Sequence, residues 1–389
     1  MLLVEENRRT HLSSPRPLET IRASKVDSLV TDLIEIVLEG KLSKVTSVMT
    51  EKRVHEILVP DKNRCGMITL SDTLRASAET KPETLVRHIP VMTMETTVGE
   101  AARIMTDYKI GIVPVSDGRK IAGQVISLSL LRMLKGNLSD RRISSIAKEN
   151  PVTMNADDSA AAARELLSRR RINHIPVKQR DKLVGLVTSS QLLAVLPARE
   201  RASAKSRSPE THSGLDFPVK DIMDPDPLTC PPETSAEESL SRMLSLDKTC
   251  ILVAQWDELQ GIATHGDFIT LLAEPEEKSE VPIYIVGLPD DPFEAEVAKQ
   301  KFKRTINQLH KVLPQILEAR SVIKSTASTQ RQEKRRYEVT VHIKTPKNSY
   351  SYASSGWELV EVYDIIIDRL KRLLSQKEQR RKQYARERE

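Results

Sequence analysis

Gly185-Leu186-Val187-Thr188-Ser189-Ser190-Gln191 joins the apolar end of a strand-like run, through a Thr, to the polar start of a helix-like run. The same order stands at Gly66-Met67-Ile68-Thr69-Leu70-Ser71-Asp72 and at Gly261-Ile262-Ala263-Thr264-His265-Gly266-Asp267. A looser form stands at Gly123-Gln124-Val125-Ile126-Ser127-Leu128-Ser129. Four occurrences at a period of about sixty residues set the architecture before any single motif does.

The third copy reads most clearly outward from its motif. Pro151-Val152-Thr153-Met154 is a short extended run, opened by a Pro where no backbone donor is needed. Asp157, Asp158 and Ser159 are N-cap candidates for a helix over Ala160–Arg170. His174–Val177 and Leu183–Thr188 are strands across a polar turn, and Ser189/Ser190 cap a helix over Gln191–Leu196. Capping boxes are expected at Thr97 with Glu100 in copy two and at Thr234 with Glu237 in copy four. Copy one is the most worn, with Leu42–Met49, Glu56–Val59 and Cys65–Arg75 as its elements. Each unit is too small to bury its own open sheet face, so four copies predict two pairs in an α/β (α+β) chain.

The runs Ile143-Ser144-Ser145-Ile146, Ile172-Asn173-His174-Ile175-Pro176-Val177 and Gly185-Leu186-Val187-Thr188 resemble CBS domains, which pair into Bateman modules. The resemblance divides the chain into repeats at 20–78, 84–136, 142–197 and 218–273, with a Ser/Arg-rich linker at 198–217.

A Thr at a strand end, with an Asp three residues on, has a use in chemistry. The hydroxyl and the following amides meet a phosphate, and the carboxylate accepts from both hydroxyls of a ribose. In CBS proteins this arrangement holds AMP, ADP, ATP or S-adenosylmethionine between paired repeats. Thr69 with Asp72 and Thr264 with Asp267 keep the full pattern. Copy three keeps Thr188 but has Gln191, and copy two has Ile126 and Ser129, with Ser127 near the phosphate position in a shifted reading. The resemblance thus implies at most two adenosine ligands per chain, as regulatory ligands rather than required cofactors. His174 is placed to touch a base edge or to be a satisfied half-buried core residue. Thr followed by Asp is also a plain N-cap, stabilising by about 1 kcal/mol without any ligand.

Composition narrows the classes. Of 389 residues, 39% are hydrophobic and 29% charged, ordinary for a globular chain, but only 3% are aromatic, so Val, Ile, Leu, Met and Ala must build the cores. No apolar stretch approaches the roughly 18 residues of a membrane span. Cys65, Cys230 and Cys250 lack metal or disulfide spacing and read as buried thiols of a cytoplasmic protein. No GxSxG, Walker loop, HExxH or paired His/Cys set is present, so no enzyme and no metal site is expected.

Charge is uneven. Residues 282–389 hold 22 Lys+Arg against 14 Asp+Glu, a net of +8, while the rest of the chain nets −2. That quarter reads as strand Ile283–Gly287, helix Phe293–Val312, strand Ile316–Ser325, an alternating strand Tyr337–Ile343, a turn at Pro346-Lys347-Asn348 into Tyr350–Ala353, and helix Trp357–Ser375. This β-α-β-β-β-α order, with Tyr350-Ser351-Tyr352-Ala353 leading through Gly356 into a helix with Tyr363, Asp364 and Ile367, resembles the ribosome hibernation-promoting factor family. That resemblance implies contact with rRNA of the small ribosomal subunit, or with both subunits. The implied RNA-binding residues are Lys299, Lys303 and Arg304 on the first helix and Arg369, Lys371, Arg372 and Lys377 on the last. Lys344 joins them from the middle strand, with Arg335 and Arg336 from the turn before it. The expectation is a ribosome-associated inhibitor of translation whose CBS modules sense adenosine nucleotides or dock, with a homodimer through those modules. Its alternative is a nucleotide-sensing CBS regulator acting on a protein or DNA partner.

Overall fold

The computed structural model describes residues 18–33, 40–61, 64–195, 215–273, 281–289, 291–312, 316–327, 335–346, 348–357, 359, 361–366 and 368–370. The chain divides into two compact units, Met1–Glu274 and Pro275–Glu389.

In the first unit the repeat is visible copy by copy. After α1 (Leu18–Ala23), copy one contains α2 (Leu42–Lys52), β1 (Glu56–Asp61), β2 (Arg64–Thr69) and α3 (Leu70–Arg75). Copy two follows with β3 (Arg87–Ile89), β4 (Met92–Thr93), α4 (Val98–Tyr108), β5 (Ile112–Ser116), β6 (Ile121–Ile126) and α5 (Ser127–Leu134). Copy three is β7 (Lys148–Glu149), β8 (Met154–Asn155), α6 (Ala160–Arg170), β9 (His174–Gln179), β10 (Lys182–Thr188) and α7 (189–195). Copy four is β11 (Thr229–Cys230), α8 (Ala236–Ser245), β12 (Cys250–Gln255), β13 (Glu258–Thr264) and α9 (His265–Thr270).

Equivalent hydrogen bonds recur in all four. The first amide of each motif helix returns to the carbonyl before the hairpin: Leu70 to His55 at 2.8 Å, Ser127 to Gly111 at 2.7 Å, Ser189 to Asn173 at 3.0 Å and His265 to Thr249 at 3.2 Å. The residue closing the first helix is left-handed in copies one to three, at Arg53, Lys109 and Arg171, and in copy four the left-handed residue is Asp247, one past the closing Leu246 (φ 48–52° in all four).

Pairing works by exchange of leading segments. The β3 strand that precedes copy two adds antiparallel to β2 of copy one, and Thr31, ahead of copy one, bridges Gln124 of copy two. In the same way β7, ahead of copy three, adds to β13 of copy four, and Asp224, ahead of copy four, bridges Leu186 of copy three. Copies one and two therefore make one module, and copies three and four the other. Each motif glycine lies under a crossing segment. A Cβ on Gly185 would come within 2.8 Å of the Asp224 carbonyl oxygen, and one on Gly123 within 2.7 Å of that of Thr31. The two modules also share cores: Leu74 of α3 packs in the core of copy three, and Leu193 of α7 in that of copy one.

Several local expectations change. In copy four the cap is Ser235, whose hydroxyl accepts from the Glu238 amide at 3.1 Å. Glu237 instead accepts from the Gly136 and Leu138 amides at 2.7 and 3.1 Å, because the end of copy two competes for its carboxylate. In copy two the Thr97 hydroxyl accepts from the Glu100 amide at 3.0 Å. In copy three Ser159 is the cap of α6, accepting from the Ala162 amide at 3.1 Å. Thr188, rather than Ser189 or Ser190, caps α7. The stretch read as a linker is structured at its end: Leu215 is buried, and its carbonyl and that of Phe217 accept from the Ala161 and Ala160 amides.

The second unit is one sheet in the order β14 (Ile283–Val286), β15 (Glu318–Ala327), β16 (Arg335–Lys344), β17 (Ser349–Gly356). The first pair is parallel and the others antiparallel. Helix α10 (Pro292–Val312) and helical residues 361–366 and 368–370 cover one face. The alternation along β16 puts Tyr337, Val339, Val341 and Ile343 inward against Phe302, Ile306, Val362 and Tyr363. Buried Tyr363 shares a 2.7 Å hydrogen bond with Ser321, and burial pushes its phenol up to about 12. Arg335 and Arg336 lie inside β16, not in a turn ahead of it.

Candidate functional site

Both complete motifs bury their Asp. In copy one Asp72 is 3% exposed. Its Oδ2 accepts from the Thr69 amide at 3.1 Å and the Thr69 hydroxyl at 2.7 Å, and the Asp72 amide donates back to the Thr69 oxygen at 3.3 Å. Its Oδ1 takes Nη2 of Arg87 at 3.2 Å and of Arg171 at 3.3 Å. In copy four Asp267 is 8% exposed. Its Oδ2 accepts from the Thr264 amide at 2.8 Å and hydroxyl at 2.6 Å, while Oδ1 takes Lys148 Nζ at 2.6 Å.

The two cations occupy one equivalent place. Arg87 pairs in register with Met67, and Lys148 with Ile262, each one residue after the motif glycine. In the other two copies that place holds Thr31 and Asp224. A cation on the exchanged strand thus accompanies the motif carboxylate in copies one and four, and both are missing in copies two and three. Copy three keeps the cap alone: Gln191 Oε1 accepts from the Thr188 amide at 2.7 Å and hydroxyl at 3.0 Å. In copy two Ile126 offers no cap, and Ser127 serves through its amide.

Half-buried titratable groups also join the copies to one another. Nε2 of His174 bonds the Thr249 hydroxyl at 2.7 Å, so this ring is engaged with copy four rather than open to a base. Burial, with His55 and His265 nearby, lowers it to about 3. His55 bonds the Ser190 hydroxyl at 2.9 Å, and burial lowers both His55 and His265. Glu56 accepts from the Gly111 amide at 2.8 and 2.9 Å, and burial raises its carboxyl to about 7.

The sequence reading named Thr69, Asp72, Thr264 and Asp267 and did not name Arg87, Lys148, Arg171, His55 and His265, which the fold brings beside them or into contact between copies. One signal was available. Arg87 and Lys148 each stand three residues before the Pro that opens the next copy, Pro90 and Pro151.

In the second unit the expected RNA-contacting residues are dispersed. Lys299 is exposed and pairs with Glu296 at 3.4 Å, and Lys303 is half-buried. Arg336, Lys344 and Arg369 are exposed. The side chains of Arg304 and Arg335 lie outside the described residues, as do Lys371, Arg372 and Lys377 entirely. The open sheet face aligns Tyr284, Arg320, His342 and Ser351 in one row. Beside it is a shallow cavity of about 430 Å³ lined by Glu318, Arg320, Val322, His342, Lys344 and Ser349. Among the described residues no group of three His, Cys, Asp or Glu could hold a metal ion, and no helix is long and apolar enough to cross a membrane.

Four copies exchanging leading strands define the class of paired-repeat modules, and comparison with known proteins agrees. The CBS-domain family model matches residues 84–136, 143–198 and 219–274, so copies two, three and four are CBS domains. Copy one lies outside those matches, and the matched segments end before the second unit. The chain is 24% identical over 334 residues to the uncharacterized protein MJ1404 of Methanocaldococcus jannaschii, covering 83% of this chain and 78% of that one. It is 31% identical over 113 residues to the uncharacterized protein YlbB of Bacillus subtilis, covering 28% of this chain and 75% of that one. The solved structure of MJ1225 from Methanocaldococcus jannaschii shares the fold at a TM-score of 0.59 and 14% identity, over 64% of this chain and all of that one.

Proposed function

We propose that the chain is a regulatory protein that senses an adenosine ligand, one at Asp72 and one at Asp267. The observation that carries this reading is the joint presence of carboxylate and cation. A ribose needs the acceptor, an anionic tail needs the donor, and copies one and four have both while copies two and three have neither. Thr69 and Thr264, and Thr188 with less support around it, stand where the tail would lie. The same pairs also neutralise one another in the ligand-free chain, so binding must exchange an internal ion pair for a ligand contact. Thermal shift of the full chain with AMP, ADP, ATP and S-adenosylmethionine tests it. At least one should raise Tm in the wild type and not in Asp72→Asn/Asp267→Asn; no shift with any of the four defeats the reading.

A second reading concerns the partner. The second unit runs β-α-β-β-β with helical residues after it, the succession of elements from which the hibernation-factor resemblance is read. In addition, the open face carries Arg320, Lys324, Arg336 and Lys344, with Glu318 opposite Lys344 and Glu338 opposite Lys324. Such a face favours a polyanion, and the resemblance names small-subunit rRNA. Co-sedimentation with ribosomal subunits at low salt tests this. Absence from the subunit fractions would leave a protein or DNA partner as the target.

A further inference from the structure

We propose that the Asp72 pocket is the one that signals between the two modules, because a ligand there must release Arg171, whereas the Asp267 pocket acts inside its own module. The inference rests on reading both pockets as adenosine-ligand sites.

A carboxylate has about four acceptor positions, and Asp72 fills them with four donors. Two belong to Thr69, in the same copy. The other two arrive from elsewhere: Arg87 from the exchanged strand of copy two, and Arg171 from the end of α6 in copy three, the opposite module. A ribose diol brings two hydroxyl donors and must displace two of the four. The Thr69 pair is part of a helix cap, so the guanidiniums at Oδ1 are the ones to yield.

Arg171 is no loose surface side chain. It is 9% exposed and continues a contact built from α3 onto the last turn of α6. Arg75 Nη2 donates to the Ser168 carbonyl at 2.5 Å, and Leu74 packs beside Leu167 in the core of copy three. Release of Arg171 removes one of these three ties between α3 and the end of α6. At Asp267 the displaced group would be Lys148, which is 73% exposed and belongs to the same module. Its ammonium can turn into water without breaking a side-chain tie of its own to the other module.

Linkage fixes the sign. If the Arg171 tie favours the ligand-free form, ligand weakens the tie by the same factor by which the tie weakens ligand binding.

The test uses the full chain, with AMP and ATP as probes. Asp267→Asn isolates the first pocket and Asp72→Asn the second. In Asp267→Asn, adding Arg171→Met should tighten binding about fivefold or more, the lower range of such couplings, with Arg171→Lys in between. In Asp72→Asn, Arg171→Met should change affinity less than about twofold. Amide exchange over residues 165–172 should rise with ligand in Asp267→Asn and stay level in Asp72→Asn. Ligand binding with unchanged exchange at 165–172, or with affinity unchanged or weakened by Arg171→Met, overturns the proposal. No binding at either pocket overturns the reading beneath it, a result distinct from the other two.

Discussion

Asp72 and Asp267 share a motif but differ in what surrounds them. Truncation of a buried, paired carboxylate leaves its cations uncompensated, which costs about 3–5 kcal/mol. At Asp72 two guanidiniums would be stranded, one of them 9% exposed. At Asp267 the stranded ammonium is 73% exposed and rehydrates. Asp72→Ala should therefore lower stability in urea by about 3 kcal/mol, and Asp267→Ala by clearly less; equal losses would mean that the Arg171 contact contributes nothing. His174 carries a pH prediction. Its folded pKa is lowered, so the stability it contributes is present above the unfolded value near 6.5 and is lost as pH falls toward 3. His174→Gln should give a shallower fall in Tm between pH 6.5 and 4 than the wild type. At this scale the sequence was half legible. Thr69 and Asp72 are three residues apart and could be read together, whereas Arg87 and Arg171 join them only through pairing across the fold.

The elements repay the same comparison. Caps and the apolar runs placed α6, β9 and β10 within a residue or two of where they fold, since those signals are local. Glu237 misled, because its box with Thr234 is locally sound but the amides after α5 take the carboxylate. The motif glycines were visible as a repeat, yet their reason was not, since it lies in the segment crossing above each one. Gly123→Ala and Gly185→Ala each drive a Cβ against a backbone carbonyl that cannot yield without breaking the exchanged bridge. At Gly66 the obstacle is Val86 Cγ1 at 2.2 Å, a side chain rather than a carbonyl, and the crossing Arg87 carbonyl oxygen is 3.7 Å away. Thermal unfolding should rank Gly123→Ala and Gly185→Ala as costing about 1–3 kcal/mol and Gly66→Ala as milder. Equal tolerance at all three sites would contradict the exchange of leading strands.

At the scale of the whole molecule, fourfold repetition makes an architecture and then spends it unevenly. All four copies share the returning amide and the left-handed helix end, which are conditions of folding. Only copies one and four keep the acid and the matching base, which folding does not require. The basic excess lies in the unrepeated unit, whose sheet leaves one face uncovered by its helices. The succession of its elements was legible because β16 alternates so cleanly; its partner was not, because a charged surface does not spell out its ligand. The most direct measurement is calorimetric stoichiometry on the full chain with the adenosine compound that binds. The account predicts no more than two sites per chain, one lost in Asp72→Asn and the other in Asp267→Asn. Binding that survives unchanged in the double variant would contradict it.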